Sequence, residues 1–145
     1  MQVVLFDDSR WEHLLPLTLT RPVSMLRVGI TTIKEKWESI LGVSISFHTM
    51  DYLRPKYKGP TNDEPCLMVN GGVIPTKELA ERVLKLKDCE SLVWGSTVVA
   101  AMLPTLPGND FDPRPDQIAQ SLGRRANNVV TLQRRVFQQC RFNAA

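Results

Sequence analysis

LLPLTLTRPVSMLRVGITTIKEKWESIL, residues 14–41, is the stretch on which the fold turns. Its first half is punctuated by Pro16 and Pro22, each of which confines the preceding residue to extended backbone, and it carries the cations Arg21 and Arg27. The second half passes through Gly29 into a segment where Ile30, Ile33, Trp37, Ile40 and Leu41 recur at helical spacing. Thr32 followed three residues later by Glu35 is a capping-box pair, so the helix is expected to begin near Thr32, with Gly42 placed to end it in a left-handed conformation. Trp37, on the apolar side, belongs in the core. Immediately upstream, QVVLF (residues 2–6) reads as a strand buried on both faces, with Asp7 and Asp8 at its carboxyl end. Strand, cationic loop and helix form the layout in which an α/β domain receives an anion, because ligands collect beyond the carboxyl ends of the strands.

Working outward, residues 9–13 read as a loop or one helical turn, and VSISF (residues 43–47) alternates with the period of a half-covered strand. Residues 51–58 suggest a helical turn before the break at Gly59 and Pro60. CLMV (residues 66–69) is a third strand candidate that runs into Asn70, Gly71 and Gly72, where the paired glycines allow backbone to approach a ligand closely. Thr76 offers an N-cap to a helix ending near Lys87, and two apolar runs around Gly95 and Ser96 predict a hairpin over residues 91–103. Residues 105–115 read as loop, 116–122 as a short helix and 129–132 as briefly strand-like. The expected fold is α/β: a three-layer Rossmann-like sandwich with a largely parallel sheet and an antiparallel edge hairpin.

The totals bound the function. At 145 residues, 43% hydrophobic and 23% charged, the chain matches one globular domain. No apolar run approaches the roughly 18 to 20 residues that cross a bilayer, and the N-terminus lacks a basic segment followed by an apolar stretch, so a cytoplasmic address and no membrane partner are expected. The net charge of +3 is local: five of the 18 basic residues lie in residues 124–145, which hold no acid, leaving 13 basic against 15 acidic residues and a net of −2 before them. A body without a basic stripe argues against nucleic acid as a partner. Cys66, Cys89 and Cys140 lack metal-ligand spacing and read as reduced, mostly buried thiols.

Residues 2–6, Pro16-Leu17-Thr18 and Pro22 together resemble the opening of sugar-nucleotide pyrophosphorylases, in which a first strand leads through a Gly-rich loop, a Pro-Leu-Thr element and a Pro-Lys pair into a helix. LMVNGGVIPTKELAERVL (residues 67–84) resembles the strand, glycine turn and helix where those enzymes place a metal-binding aspartate, and WGSTVVAAML (residues 94–103) the hairpin that follows. The wording of residues 5–38 is closer still to the N-terminal domain of an alternative bacterial GlmU-type family of bifunctional UDP-N-acetylglucosamine diphosphorylases and glucosamine-1-phosphate acetyltransferases. The resemblance implies a nucleotide-diphospho-sugar transferase fold over residues 1–123. It also implies transfer of a uridylyl or other nucleotidyl group from a nucleoside triphosphate to a sugar 1-phosphate such as N-acetylglucosamine 1-phosphate. Nucleotide and sugar phosphate are the implied partners, and homo-oligomerisation of a full-length protein is left open. Family members continue into a β-helix that houses the acetyltransferase; residues 124–145 show no hexapeptide pattern and are expected to be a truncated or altered link to such a domain.

Three parts of the family pattern are not matched. Ser9 to His13 stand where the Gly-rich loop would lie, Val23 where the lysine would neutralise phosphate, and Gly72 where an aspartate would bind metal. Nucleotidyl transfer depends on positioning and charge neutralisation, so the alternative is a catalytically degenerate domain that binds nucleotide or sugar phosphate or serves a structural role. Candidate substitutes are Asp8, Arg10, Thr18, Arg21, Arg27 and Asn70 for substrate binding, the arginines offering forked donors to phosphate oxygens. Asp7 and Asp8 are the candidate holders of a hydrated Mg²⁺ if the domain is active. His13 has no visible nucleophile or orienting partner that would make it a general base.

Overall fold

The uninterrupted apolar run Val3-Val4-Leu5-Phe6 makes Gln2–Phe6 the first strand, and the strands Ile45–His48 and Cys66–Asn70 are laid against it. The computed structural model describes residues 1–60, 64–95, 97–104 and 129–131. In chain order its strands and α-helices are β1 (Gln2–Phe6), β2 (Arg27–Val28), β3 (Thr31–Thr32), α1 (Ile33–Leu41), β4 (Ile45–His48), β5 (Cys66–Asn70), α2 (Lys77–Leu84), β6 (Ser91–Trp94), β7 (Thr97–Leu103) and β8 (Val129–Thr131). Six strands form one sheet in the order β4-β1-β5-β7-β6-β8. β1 pairs in parallel with β4 and β5, while β7 runs antiparallel to β5 and to β6. This is the expected mixed α/β, Rossmann-like architecture. The β6–β7 hairpin extends the parallel strands, and β8 adds a further parallel strand outside β6.

The alternation of side chains along β1 and β5 divides the core in two. Val3, Leu5, Leu67 and Val69 face Ile33 and Trp37 of α1 and Leu79 and Val83 of α2. Val4, Phe6, Cys66 and Met68 form a second buried cluster with Ala101 and Leu103. Both faces of these strands are nearly free of exposure, and both α1 and α2 pack on the first of these faces.

α1 starts where its cap directs. Thr32 Oγ1 accepts from the Glu35 amide at 3.1 Å, Glu35 Oε2 accepts from the Thr32 amide at 2.6 Å, and Gly42 closes the helix at φ +68°. Trp37 is fully buried, and its Nε1 donates to the Val73 carbonyl at 2.9 Å, tying α1 to the turn after β5. The apolar stripe is narrower than the spacing suggests. Gly29, at φ +78°, turns the chain between β2 and β3, so Ile30 precedes the helix and is 88% exposed. Ile40 is exposed as well, leaving Ile33 and Trp37 as the buried anchors. β4 begins two residues later than its alternation implies, and α2 stops at Leu84 rather than Lys87. Residues 9–13 and 51–58 contribute 3-10 turns, at Ser9–Leu14 and Asp51–Leu53. Cys66 is buried and Cys89 half-buried, both as free thiols; Cys140, the helix expected at 116–122 and nearly all of the basic tail lie outside the described residues.

Candidate functional site

The tips of β1 and β5 are joined by a 2.9 Å hydrogen bond from the Gly71 amide to the Phe6 carbonyl, and polar side chains gather around that junction. Asp7 leaves β1 pointing inward and is 8% exposed. Its Oδ1 accepts from the Val23 amide at 3.1 Å and its Oδ2 from the Thr49 hydroxyl at 2.7 Å. One buried carboxylate thereby fastens the loop of residues 14–28 to the end of β4. Burial pushes its pKa from the ordinary 3.8 up to about 6: desolvation outweighs the two hydrogen bonds, which pull the other way, and the neighbouring Asp8 charge raises it slightly further.

Asp8 caps the 3-10 turn that stands in place of a glycine loop, its Oδ1 accepting from the Arg10 amide at 3.0 Å. Its Oδ2 accepts from Arg10 Nε at 2.9 Å and Asn70 Nδ2 at 2.9 Å, and is ion-paired with Arg10 Nη2 at 2.7 Å. Asn70 is itself fixed. It is 1% exposed, Nδ2 also donates to the Val98 carbonyl at 2.9 Å, and Oδ1 accepts from the Gly72 amide at 2.9 Å. β1, β5 and β7 thus cooperate to hold a half-buried guanidinium at the sheet's carboxyl edge. Asp8 engages only Nε and Nη2 of a group that carries five N–H donors, so Arg10 keeps donor capacity for a second oxyanion.

Asp8, Arg10 and Asn70, nominated separately from the sequence, are therefore in direct contact. Thr18 is buried nearby in the chain and donates to the Trp11 carbonyl at 2.7 Å, which braces the loop against the 3-10 turn. Arg21 is exposed, and Arg27 is exposed with Nη1 donating to the Ile30 carbonyl at 2.8 Å. His13 is exposed. Sequence reasoning passed over Thr49, 42 residues from its partner Asp7, and Ser24, a buried hydroxyl beside Gly71. Thr49 stands in no recognisable motif, and Ser24, though inside the Pro-punctuated stretch, carries no signal of its own that marks it as buried at this junction.

Both oxygens of Asp7 and both of Asp8 already accept from protein donors, one of them from a guanidinium, and no group of three metal-ligating side chains occurs among the described residues. A cavity of about 220 Å³ lies away from this cluster, at the amino end of β6, between Arg82, Lys85, Leu86, Glu90 and Leu92. Chemistry-bearing groups concentrate at the strand tips instead, where open α/β sheets take their ligands.

The sugar nucleotidyl transferase family matches residues 3–136. The chain belongs to that family. No individual curated protein matches it. For a sugar nucleotidyl transferase the Asp8–Arg10–Asn70 cluster sits where the fold presents ligands, and the loop anchored by Asp7 is the segment that carries the Pro-Leu-Thr element. No described helix of this transferase domain is long and apolar enough to cross a membrane.

Proposed function

We propose that this domain transfers a uridylyl group from UTP to a sugar 1-phosphate, with N-acetylglucosamine 1-phosphate as acceptor. An oxygen of the acceptor's phosphate attacks the α-phosphorus of UTP, a new P–O bond forms, the bond to the β-phosphate breaks and pyrophosphate leaves. Such a transfer needs little covalent help from protein; it needs alignment and cancellation of developing charge. The observation that carries the proposal is the guanidinium of Arg10, held by Asp8 and Asn70 at the carboxyl ends of β1 and β5 in a member of this family. Arg10 contributes positive charge in place of the lysine that Val23 replaces, and Arg21 is a second cation on the adjoining loop. Asp7 and Asp8 position the loop and Arg10, with no step assigned to a metal held by them. Pyrophosphate release on mixing the protein with UTP, as its magnesium salt, and N-acetylglucosamine 1-phosphate is the direct test.

One observation favours a second reading, a domain that binds and does not turn over. The strongest cation at the site is already neutralised by Asp8, and neither Val23 nor Gly72 offers a charged side chain. Calorimetric binding of UTP or the sugar phosphate without pyrophosphate release selects that reading. Absence of binding to both ligands refutes both.

A further inference from the structure

Ser24 carries the buried side-chain oxygen that, among the described residues, no hydrogen-bond partner meets. It is 1% exposed, so bulk water does not supply one. Buried hydroxyls are satisfied in the great majority of cases, and one left without a partner lowers stability. Its place in the fold is specific. Ser24 lies in the 3-10 turn Val23–Met25, packed against Gly71, where an added Cβ would come within 3.2 Å of the Ser24 Cβ and 3.2 Å of the Phe6 carbonyl oxygen. A Cβ on Gly72 would stand 3.7 Å from Val23 Cγ1 and 3.9 Å from Arg10 Nη2. Ser24 therefore packs on Gly71, and the Arg10 guanidinium lies beside the next residue, Gly72, at the tips of β1 and β5.

We propose that Ser24 is a phosphate-contacting residue, whose hydroxyl donates to an oxygen of the same phosphate group that Arg10 neutralises. The backbone of the turn is pinned by the Asp7–Val23 hydrogen bond, so the hydroxyl is delivered by rotation about χ1, a motion between staggered wells that leaves the main chain in place. A Cβ at Gly71 would press on the Phe6 carbonyl and on Ser24, each at 3.2 Å, and one at Gly72 would meet Asn70 Oδ1 at 3.3 Å. The identity of the ligand rests on the nucleotidyl-transfer reading; the assignment of Ser24 rests on its burial and missing partner.

Isothermal calorimetry of UTP, and separately of N-acetylglucosamine 1-phosphate, into wild type and Ser24→Ala tests the assignment, with thermal unfolding recorded without ligand. The variant is expected to bind at least one of the two about tenfold more weakly, the effect of losing one hydrogen bond to a charged group. Its unfolding temperature should equal or exceed that of wild type, because a methyl replaces an unmet hydroxyl. Arg82→Gln, which lines the separate cavity beside Leu92, should keep wild-type affinity. A loss for one ligand alone assigns Ser24 to that ligand's phosphate. Wild-type affinity for both in Ser24→Ala overturns the proposal, whatever the unfolding temperature. Should that variant fail to fold, Ser24→Cys, which keeps the shape with a far weaker donor, must show the same loss, and full affinity there overturns it equally. Wild-type protein that binds neither ligand overturns the nucleotidyl-transfer reading along with it, whereas binding that ignores Ser24 removes this inference alone.

Discussion

Replacing Asp7 with asparagine should erase a pH dependence that this one side chain imposes on folding. The carboxyl is held at about 6 in the folded chain against 3.8 ordinarily, so the folded state binds its proton more tightly than the unfolded state does. Stability from this group is therefore complete below pH 3.8 and is lost as pH rises through 6. At about 1.4 kcal/mol per pH unit the rise corresponds to about 3 kcal/mol in full, of which about 2–3 kcal/mol falls between pH 4 and pH 7.5. Asparagine keeps both contacts, its oxygen accepting from the Val23 amide and its Nδ2 donating to the Thr49 hydroxyl, while removing the titration. Other carboxylates respond to acid in the opposite sense. Glu35, for example, has a pKa lowered by the hydrogen bonds it receives from the Thr32 amide and side chain, and its contribution fades as pH falls. Comparing the two proteins cancels those terms. Urea unfolding at pH 4, 5, 6 and 7.5 should show wild type losing about 2–3 kcal/mol relative to Asp7→Asn across the series. A difference that is flat with pH, or that grows in favour of wild type as pH rises, refutes the reasoning.

Gly42→Ala places a Cβ at φ +68° in open space, so strain alone acts, and unfolding by urea should register a loss of about 1 kcal/mol with no change in ligand affinity. Asn70→Ala strands the Gly72 amide and the Val98 carbonyl and removes a donor from Asp8. It should cost about 2–4 kcal/mol in the same assay and weaken UTP binding through Arg10, and a variant that unfolds like wild type would contradict the bonding described.

Much of the scaffold was legible because its signals are local. The β-branched run of β1, the Thr32–Glu35 capping box and the glycine at position 42 each act within a few residues, and each appears where the sequence places it. Ile30 shows the limit of such signals: it shares the helical spacing of Ile33 and Trp37, yet it precedes the cap and, after the αL turn at Gly29, is 88% exposed. Asp8, Arg10 and Asn70 could be named as candidates from their positions at strand ends, since the carboxyl edge of an α/β sheet is where ligand groups belong.

The amino-acid order by itself marked the main strand and helix segments, the mixed α/β class and a nucleotidyltransferase-like domain, because periodicity, caps and motif order are properties of neighbours along the chain. Only the tertiary structure decided that Asn70 holds Asp8 across 62 residues, that Thr49 reaches Asp7 across 42, and that Ser24 is buried beside Gly71 without a partner. Those contacts depend on parallel strands β1, β4 and β5 arriving side by side at one edge, and burial, which sets both the Asp7 proton affinity and the unmet Ser24 hydroxyl, exists only once the sheet has formed.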